Sequence, residues 1–140
     1  MSKSKVARIT ISVDELLLQR FEEKIAGAGY PSRSEAMKEL LRKALVEQEW
    51  QEGKEVAGTI SLVYDHHEGS MVKKVVSAQH DFGKIIICSQ HVHLDHFNCL
   101  EVLVVRGTPL EIRELLVRLK AVKGMKHTAL MMTTTGEHVH

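Results

Sequence analysis

The sequence predicts an α+β chain in two parts: a strand and two helices, then a second domain of βαββαβ order. Three observations predict it. Residues 6–13 alternate apolar and polar side chains, the period of a half-buried strand. Two capping-box patterns, each opening an apolar stripe of helical spacing, follow before residue 50. Beyond a polar stretch at 51–55, segments of strand and helix character come in the order β, α, β, β, α, β.

In the first strand Ile9, Ile11 and Val13 alternate with Arg8, Thr10 and Ser12. Ser12 and Glu15 are spaced as a capping box, Asp14 is an alternative cap, and Leu17, Phe21 and Ile25 form a helical stripe that Gly27, Gly29 and Pro31 stop. Ser32 and Glu35 repeat the capping spacing, and Met37, Leu40, Leu41, Ala44 and Leu45 mark a helix running to about Trp50. The polar run Gln51–Glu55, with Gly53 as a hinge, places the domain boundary between residues 52 and 53, giving domains 1–52 and 53–140. Strands are expected at 56–64, 84–93, 97–106 and 125–135, and helices at 70–79 and 109–122. Leu110, Glu111, Ile112, Leu115, Leu116 and Leu119 give the last helix one apolar face, and Gly124 sits where a C-cap glycine belongs. This is the split βαβ order of ferredoxin-like folds, found in ACT-type regulatory domains.

The first segment cannot stand alone. A single strand has no pairing partner, and about 45 residues bury too little surface for an independent core. The economical solution is a dimer in which two copies of residues 6–13 pair as an antiparallel ribbon lying on four helices. Arg8, Thr10 and Ser12 of both chains then stand on its open face. That arrangement resembles the ribbon-helix-helix class of DNA-binding proteins, whose ribbon enters the major groove.

Composition narrows the remaining classes. The chain has 140 residues, of which 44% are hydrophobic, enough for packed cores, and a formal charge of +1 that leaves no global footprint of nucleic-acid binding. The charge is uneven, since Lys3, Lys5 and Arg8 all precede the first acid, Asp14. No run approaches the roughly 18 apolar residues of a membrane span, and the N-terminus lacks a signal-peptide core. The two cysteines read differently: Cys88, behind Ile85-Ile86-Ile87, as a small buried hydrophobe, and Cys99, near histidines, as a metal ligand.

His80, His91, His93 and Cys99 are spaced as a soft-metal site. His91 and His93 are two apart on a predicted strand, so both imidazoles leave the same face. Cys99 follows six residues after His93, within reach if the chain turns near Asp95–Asn98. Imidazole and thiolate suit a late first-row divalent metal far better than magnesium or calcium.

A ribbon-helix-helix start joined to a βαββαβ domain carrying His80, His91, His93 and Cys99 resembles the nickel-responsive regulators of NikR type, over about residues 5–134. The most specific stretches are Arg8-Ile9-Thr10-Ile11, Arg33-Ser34-Glu35-Ala36, Tyr64-Asp65-His66 and the run from His91 through Cys99 to Glu101. The resemblance implies a cytoplasmic homotetramer, a dimer of dimers. Each chain would hold one nickel(II), Ni(2+), in a square plane, with His91, His93 and Cys99 from one subunit and His80 from a neighbour. Its partner would be double-stranded operator DNA, and its action repression of nickel-uptake genes rather than an enzymatic reaction. Glu101 and Tyr64 would orient the ligands. Arg8 and Thr10 would read bases, Ser12 would stand beside them on the DNA-facing side, and Lys3, Lys5, Ser32, Arg33 and Ser34 would hold phosphates. One departure stands out: the loop after the first strand of the second domain is His67-Glu68-Gly69-Ser70, without the basic residues that some family members carry there.

Two rival readings differ in class. A ribbon-helix-helix regulator sensing an amino acid through its ACT-like domain has no need of Cys99 or of two in-register histidines. A metalloenzyme could use Glu101 or Asp95 as acid–base, but four protein ligands in a plane leave no equatorial opening, and the N-terminal segment has no role in it. The remaining histidines read as polar surface: His66, His67 and His96 in loops, His127 at a strand start, His138 and His140 in a terminal tail.

Overall fold

The computed structural model describes residues 5–140. The elements run α1 (Glu15–Ala26), α2 (Arg33–Glu52), β1 (Val56–Asp65), α3 (Gly69–Asp81), β2 (Ile86–His93), β3 (Asn98–Gly107), α4 (Pro109–Lys120) and β4 (His127–Thr133). They fall into two units, the first ending at Leu41 and the second beginning at Arg42, so the spatial division lies within α2.

In the first unit Asp14, not Ser12, caps α1. Its Oδ1 accepts from the backbone N–H groups of Leu16 at 2.9 Å and Leu17 at 3.2 Å. The helix begins at Glu15, so the cap is the residue just before it and Ser12 lies too far upstream. Ser32 caps α2 as its spacing predicts, its Oγ accepting from Glu35 N–H at 3.2 Å. Residues 5–14 form no ladder within the chain, and Ile9 is 73% exposed. A strand is defined by its partner, and an alternating segment without one forms no ladder. Helix α1 buries no residue, and Leu16, Leu17, Leu40 and Leu41 remain exposed. Half a core is present here, with its apolar side open.

The second unit is an antiparallel four-stranded sheet in the order β2-β3-β1-β4. The central strands alternate between buried residues and half-buried ones, with Arg106 exposed near the end of β3, as strands covered on one face should. Val56, Ile60, Leu62, Leu103 and Val105 of that face meet Met71, Val75 and Ala78 of α3 and Ile112, Leu115 and Leu119 of α4 in one core. Each large aliphatic side chain removed from water there contributes roughly 1.5–3 kcal/mol. Helix α4 starts at a complete capping box, with Thr108 Oγ1 and the Glu111 carboxylate each accepting from the other's backbone N–H, and Pro109 follows at its first position.

Two residues expected inside lie outside: Cys88 is exposed on the edge strand β2, and Leu110 is exposed at the start of α4, off the face that carries Ile112, Leu115 and Leu119. Two further details depart from the sequence reading or depend on glycine. Helix α4 ends at Lys120 with Ala121 as its cap, so Gly124 is not the C-cap residue; with φ of +96° it turns the chain into β4 instead. At Gly58 an added Cβ would lie 2.8 Å from the Met131 carbonyl oxygen, which explains a glycine in mid-strand. Trp50, near the end of α2, belongs to this core, and its indole N–H donates to the Thr133 carbonyl at 2.9 Å.

Candidate metal centre

The β2–β3 register builds the site. His93 lies opposite Cys99, and His91 opposite Glu101. Directly opposed residues of an antiparallel pair point to the same face, so His91, His93, Cys99 and Glu101 share one side. That side is the helix-covered one, where Cys99 is wholly buried and Glu101 is 6% exposed. Strand β2 is an edge strand, which leaves its two imidazoles exposed while the thiol sits one strand further in.

The turn that fixes this register is tied by Asp95. Its Oδ1 accepts from the N–H groups of Phe97 and Asn98, both at 2.8 Å, and its Oδ2 from the Asn98 side-chain amide at 2.8 Å. Leu94 N–H closes the turn on the Asn98 carbonyl at 2.9 Å. Hydrogen bonds from the Asn98 side chain, then from the two backbone N–H groups, hold the Asp95 carboxyl down at about 2.

Cys99 is a free thiol, and its S–H donates to the Tyr64 carbonyl at 3.3 Å. Burial pushes its pKa up. Behind it lies a closed polar network. The Tyr64 hydroxyl donates to Glu101 Oε2 at 2.5 Å, and the Gln79 amide donates to Glu101 Oε1 at 2.7 Å. Both carboxylate oxygens are therefore satisfied, as a buried charge requires. Burial, and then the Glu101 carboxylate, hold the Tyr64 phenol well above its ordinary range. The Tyr64 ring meets the His91 ring edge-on at 6.0 Å. Gln79 was missed by sequence reasoning. Nothing in its neighbourhood marks it until the α3–β3 packing is known.

His80, the residue after Gln79, is not gathered to the other three. Its imidazole is 90% exposed and lies 3.9 Å from the Asp81 carboxylate, which in turn pairs with Arg118 of α4 at 2.5 Å. The end of α3 is thus anchored on both sides while the His80 ring faces outward. Among the described residues, the donors that all approach within 4.8 Å of one another are those of Asp65, His66 and His67. The loop histidines form a cluster rather than separate surface residues: His66 stacks on His93 at 4.3 Å, and His67 lies 4.2 Å from His66 and 5.2 Å from His96. The signal for it was the Tyr64-Asp65-His66-His67 run, which the Asp65–Asn98 pairing brings beside the 94–97 turn.

Two imidazoles and a buried thiol on one sheet face fit a thiophilic late-row metal, and a fourth donor must come from elsewhere. Residues of the N-terminal segment expected at DNA are placed as follows. Lys5, Arg8, Thr10, Ser12 and Ser34 are exposed, Lys3 lies outside the described residues, Ser32 serves as the α2 cap, and Arg33 pairs with Glu22 of α1. No helix among the described residues is long and apolar enough to cross a membrane.

Known proteins show the family to which this chain belongs. A family model described as the NikR C-terminal nickel-binding domain matches residues 57–133, and one described as a ribbon-helix-helix protein of the copG family matches residues 7–48. Proteins named "Putative nickel-responsive regulator" are similar across nearly the whole chain. That of Desulfovibrio desulfuricans is 48% identical over 94% of this chain and 96% of its own length. That of Thermococcus onnurineus is 47% identical over 96% and 99%. A solved structure of an uncharacterized protein from Thermotoga maritima overlays 58% of this chain and all of its own with a TM-score of 0.53 at 13% identity, a likeness of fold alone. The fold and site define a DNA-binding regulator with a metal-sensing domain. The chain belongs to the NikR-type nickel-responsive regulator family: it joins a ribbon-helix-helix DNA-binding part to a nickel-binding domain.

The contribution of Asp95 is complete above the ordinary carboxylate value of about 4 and is lost as pH falls through about 2. At neutral pH Asp95→Ala should therefore loosen the turn and speed exchange of the Phe97 and Asn98 amides, with Asp95→Asn between it and the parent. Hydrogen exchange followed by NMR measures this; unchanged protection in Asp95→Ala would contradict the role given to the turn.

Proposed function

We propose that this chain is a cytoplasmic, nickel-dependent repressor of nickel-uptake genes, acting as a homotetramer of two ribbon-helix-helix dimers. Residues 1–52 bind operator DNA, and residues 53–140 bind nickel and join the dimers. Each chain takes one nickel(II) through His91, His93 and Cys99, with His80 of a neighbouring subunit completing a square plane. The observation that carries this reading is the register placing His91, His93 and Cys99 on one face. The outward His80 at an anchored helix end supports its service to another chain. Nitrogen and thiolate donors in a plane are a nickel(II) or copper(II) geometry, whereas zinc prefers a tetrahedron.

The N-terminal unit supports the dimer. Ile11, Val13, Leu17, Leu18, Phe21 and Met37 line an open apolar trough that a second copy would fill. Paired in this way, two copies of residues 6–13 present Arg8, Thr10 and Ser12 to base edges. A ligand donated between subunits makes metal occupancy a statement about subunit arrangement. Nickel that favours one arrangement shifts the tetramer toward the spacing of two half-sites.

Mixing subunits tests the shared site. Neither His80→Ala nor Cys99→Ser should bind nickel tightly alone. Refolded together they should form some hybrid sites with all four ligands and restore a thiolate-to-nickel charge-transfer band. Failure of every mixture to restore binding would place His80 outside the site. On DNA, Arg8→Ala should cost roughly 1–3 kcal/mol of discrimination between operator and random sequence. Arg33→Ala should weaken both alike and flatten the salt dependence. A binding titration on the two DNAs separates these effects, and equal sequence preference in Arg8→Ala and the parent would overturn the assignment.

A further inference from the structure

We propose that Trp50 is a positioning residue for regulation: it clamps the C-terminal half of α2 to the nickel-binding domain, and the clamped helix passes the effect of nickel to the DNA-binding part. The inference rests on the nickel–operator coupling proposed above. Helix α2 has 20 residues, about 30 Å of helix, with neither glycine nor proline inside it. The two units divide between Leu41 and Arg42, so this one helix belongs to both. Gly53, with φ of +76°, comes only after Trp50 and lies within the second unit. No flexible linker therefore separates residues 33–41 from the Trp50 turn.

The clamp has three sides. Trp50 is 2% exposed, and its ring lies over β1 at Gly58, where an added Cβ would stand 3.5 Å from the indole Cζ2. Its N–H donates to the carbonyl of Thr133, the last residue of β4, at 2.9 Å. The guanidinium of Arg113 on α4 lies 6.0 Å from the ring centroid, within cation–π range. Val46, one turn earlier, packs against the same core.

A tryptophan closing the edge of a core needs no further role, but its neighbour Glu49 argues for one. Glu49 is 7% exposed, and its Oε2 is buried with no hydrogen-bond partner among the described residues. A contact built for stability alone would not bury an unpaired carboxylate oxygen. Trp50 holds the helix end down and Glu49 opposes it, which leaves the docked end poised against release. While it is docked, an arrangement of second domains selected by nickel is passed on through a stiff helix. Once it is released, the same selection no longer reaches the DNA-binding parts.

The experiment measures operator affinity of the full-length protein with and without nickel(II), together with hydrogen exchange. Trp50 is the chain's one tryptophan, so its indole N–H gives a single assignable resonance. Trp50→Ala should speed amide exchange over residues 43–52 and keep the thiolate band and nickel affinity. It should cut the factor by which nickel tightens operator binding by about 2–30-fold. Trp50→Phe, which keeps a ring but loses the N–H donor, should fall between it and the parent. Glu49→Met should slow indole exchange and leave the factor at or above the parent's. Faster exchange over 43–52 with the parent's factor retained overturns the proposal, as does unchanged exchange in Trp50→Ala or faster indole exchange in Glu49→Met. If Trp50→Ala misfolds and loses the thiolate band, Trp50→Phe decides by the same criterion. A parent whose operator affinity ignores nickel contradicts the proposed regulation itself, and this role with it.

Discussion

The β2–β3 register is the constraint on which the rest of this protein depends. It sets His93 against Cys99 and His91 against Glu101. A one-residue slip would send the strand's side chains to the opposite face, parting both imidazoles from the thiol. Three features resist that slip. Asp95 ties the turn at one end through three hydrogen bonds. The buried face of β3 locks the partner strand into the core. The Tyr64–Glu101–Gln79 network pins the sheet to α3 and pairs both carboxylate oxygens of Glu101.

That network also links the site to its outer element. Gln79 holds the sheet, and its neighbour His80 points away from it. One turn of helix thus carries both an inward contact that supports the thiol-bearing strand and an outward imidazole. On the proposed reading, a neighbouring subunit that takes up this imidazole becomes part of the coordination sphere. Nickel binding then has a preferred subunit arrangement built into it.

Much of this was legible in the sequence because it depends on local spacing. The two-residue step from His91 to His93 marks a shared face, and the β, α, β, β, α, β order of the second domain marks its split βαβ fold. The capping residue of α2, Ser32, announces that helix's start. Other features depend on what meets what across the fold. The choice of Asp14 over Ser12 turned on where α1 begins, and the role of Gly124 on where α4 stops. Gln79 and the gathering of His66 and His67 beside His93 follow from packing between distant segments, which spacing does not record. The alternating segment at 6–13 shows a limit of another kind. Its pattern states a strand, but no ladder exists in one chain because the proposed pairing lies between two.

The central claim is that nickel and operator DNA favour the same arrangement of subunits. Linkage then requires reciprocity: if nickel tightens operator binding by some factor, operator must tighten nickel binding by the same factor. The direct measurement is a pair of nickel titrations of the full-length protein, followed by competition with a calibrated chelator, with and without saturating operator duplex, alongside operator titrations of the apo and nickel-loaded forms. The account predicts equal factors, each well above one. Nickel affinity indifferent to operator, with operator affinity indifferent to nickel, would contradict it.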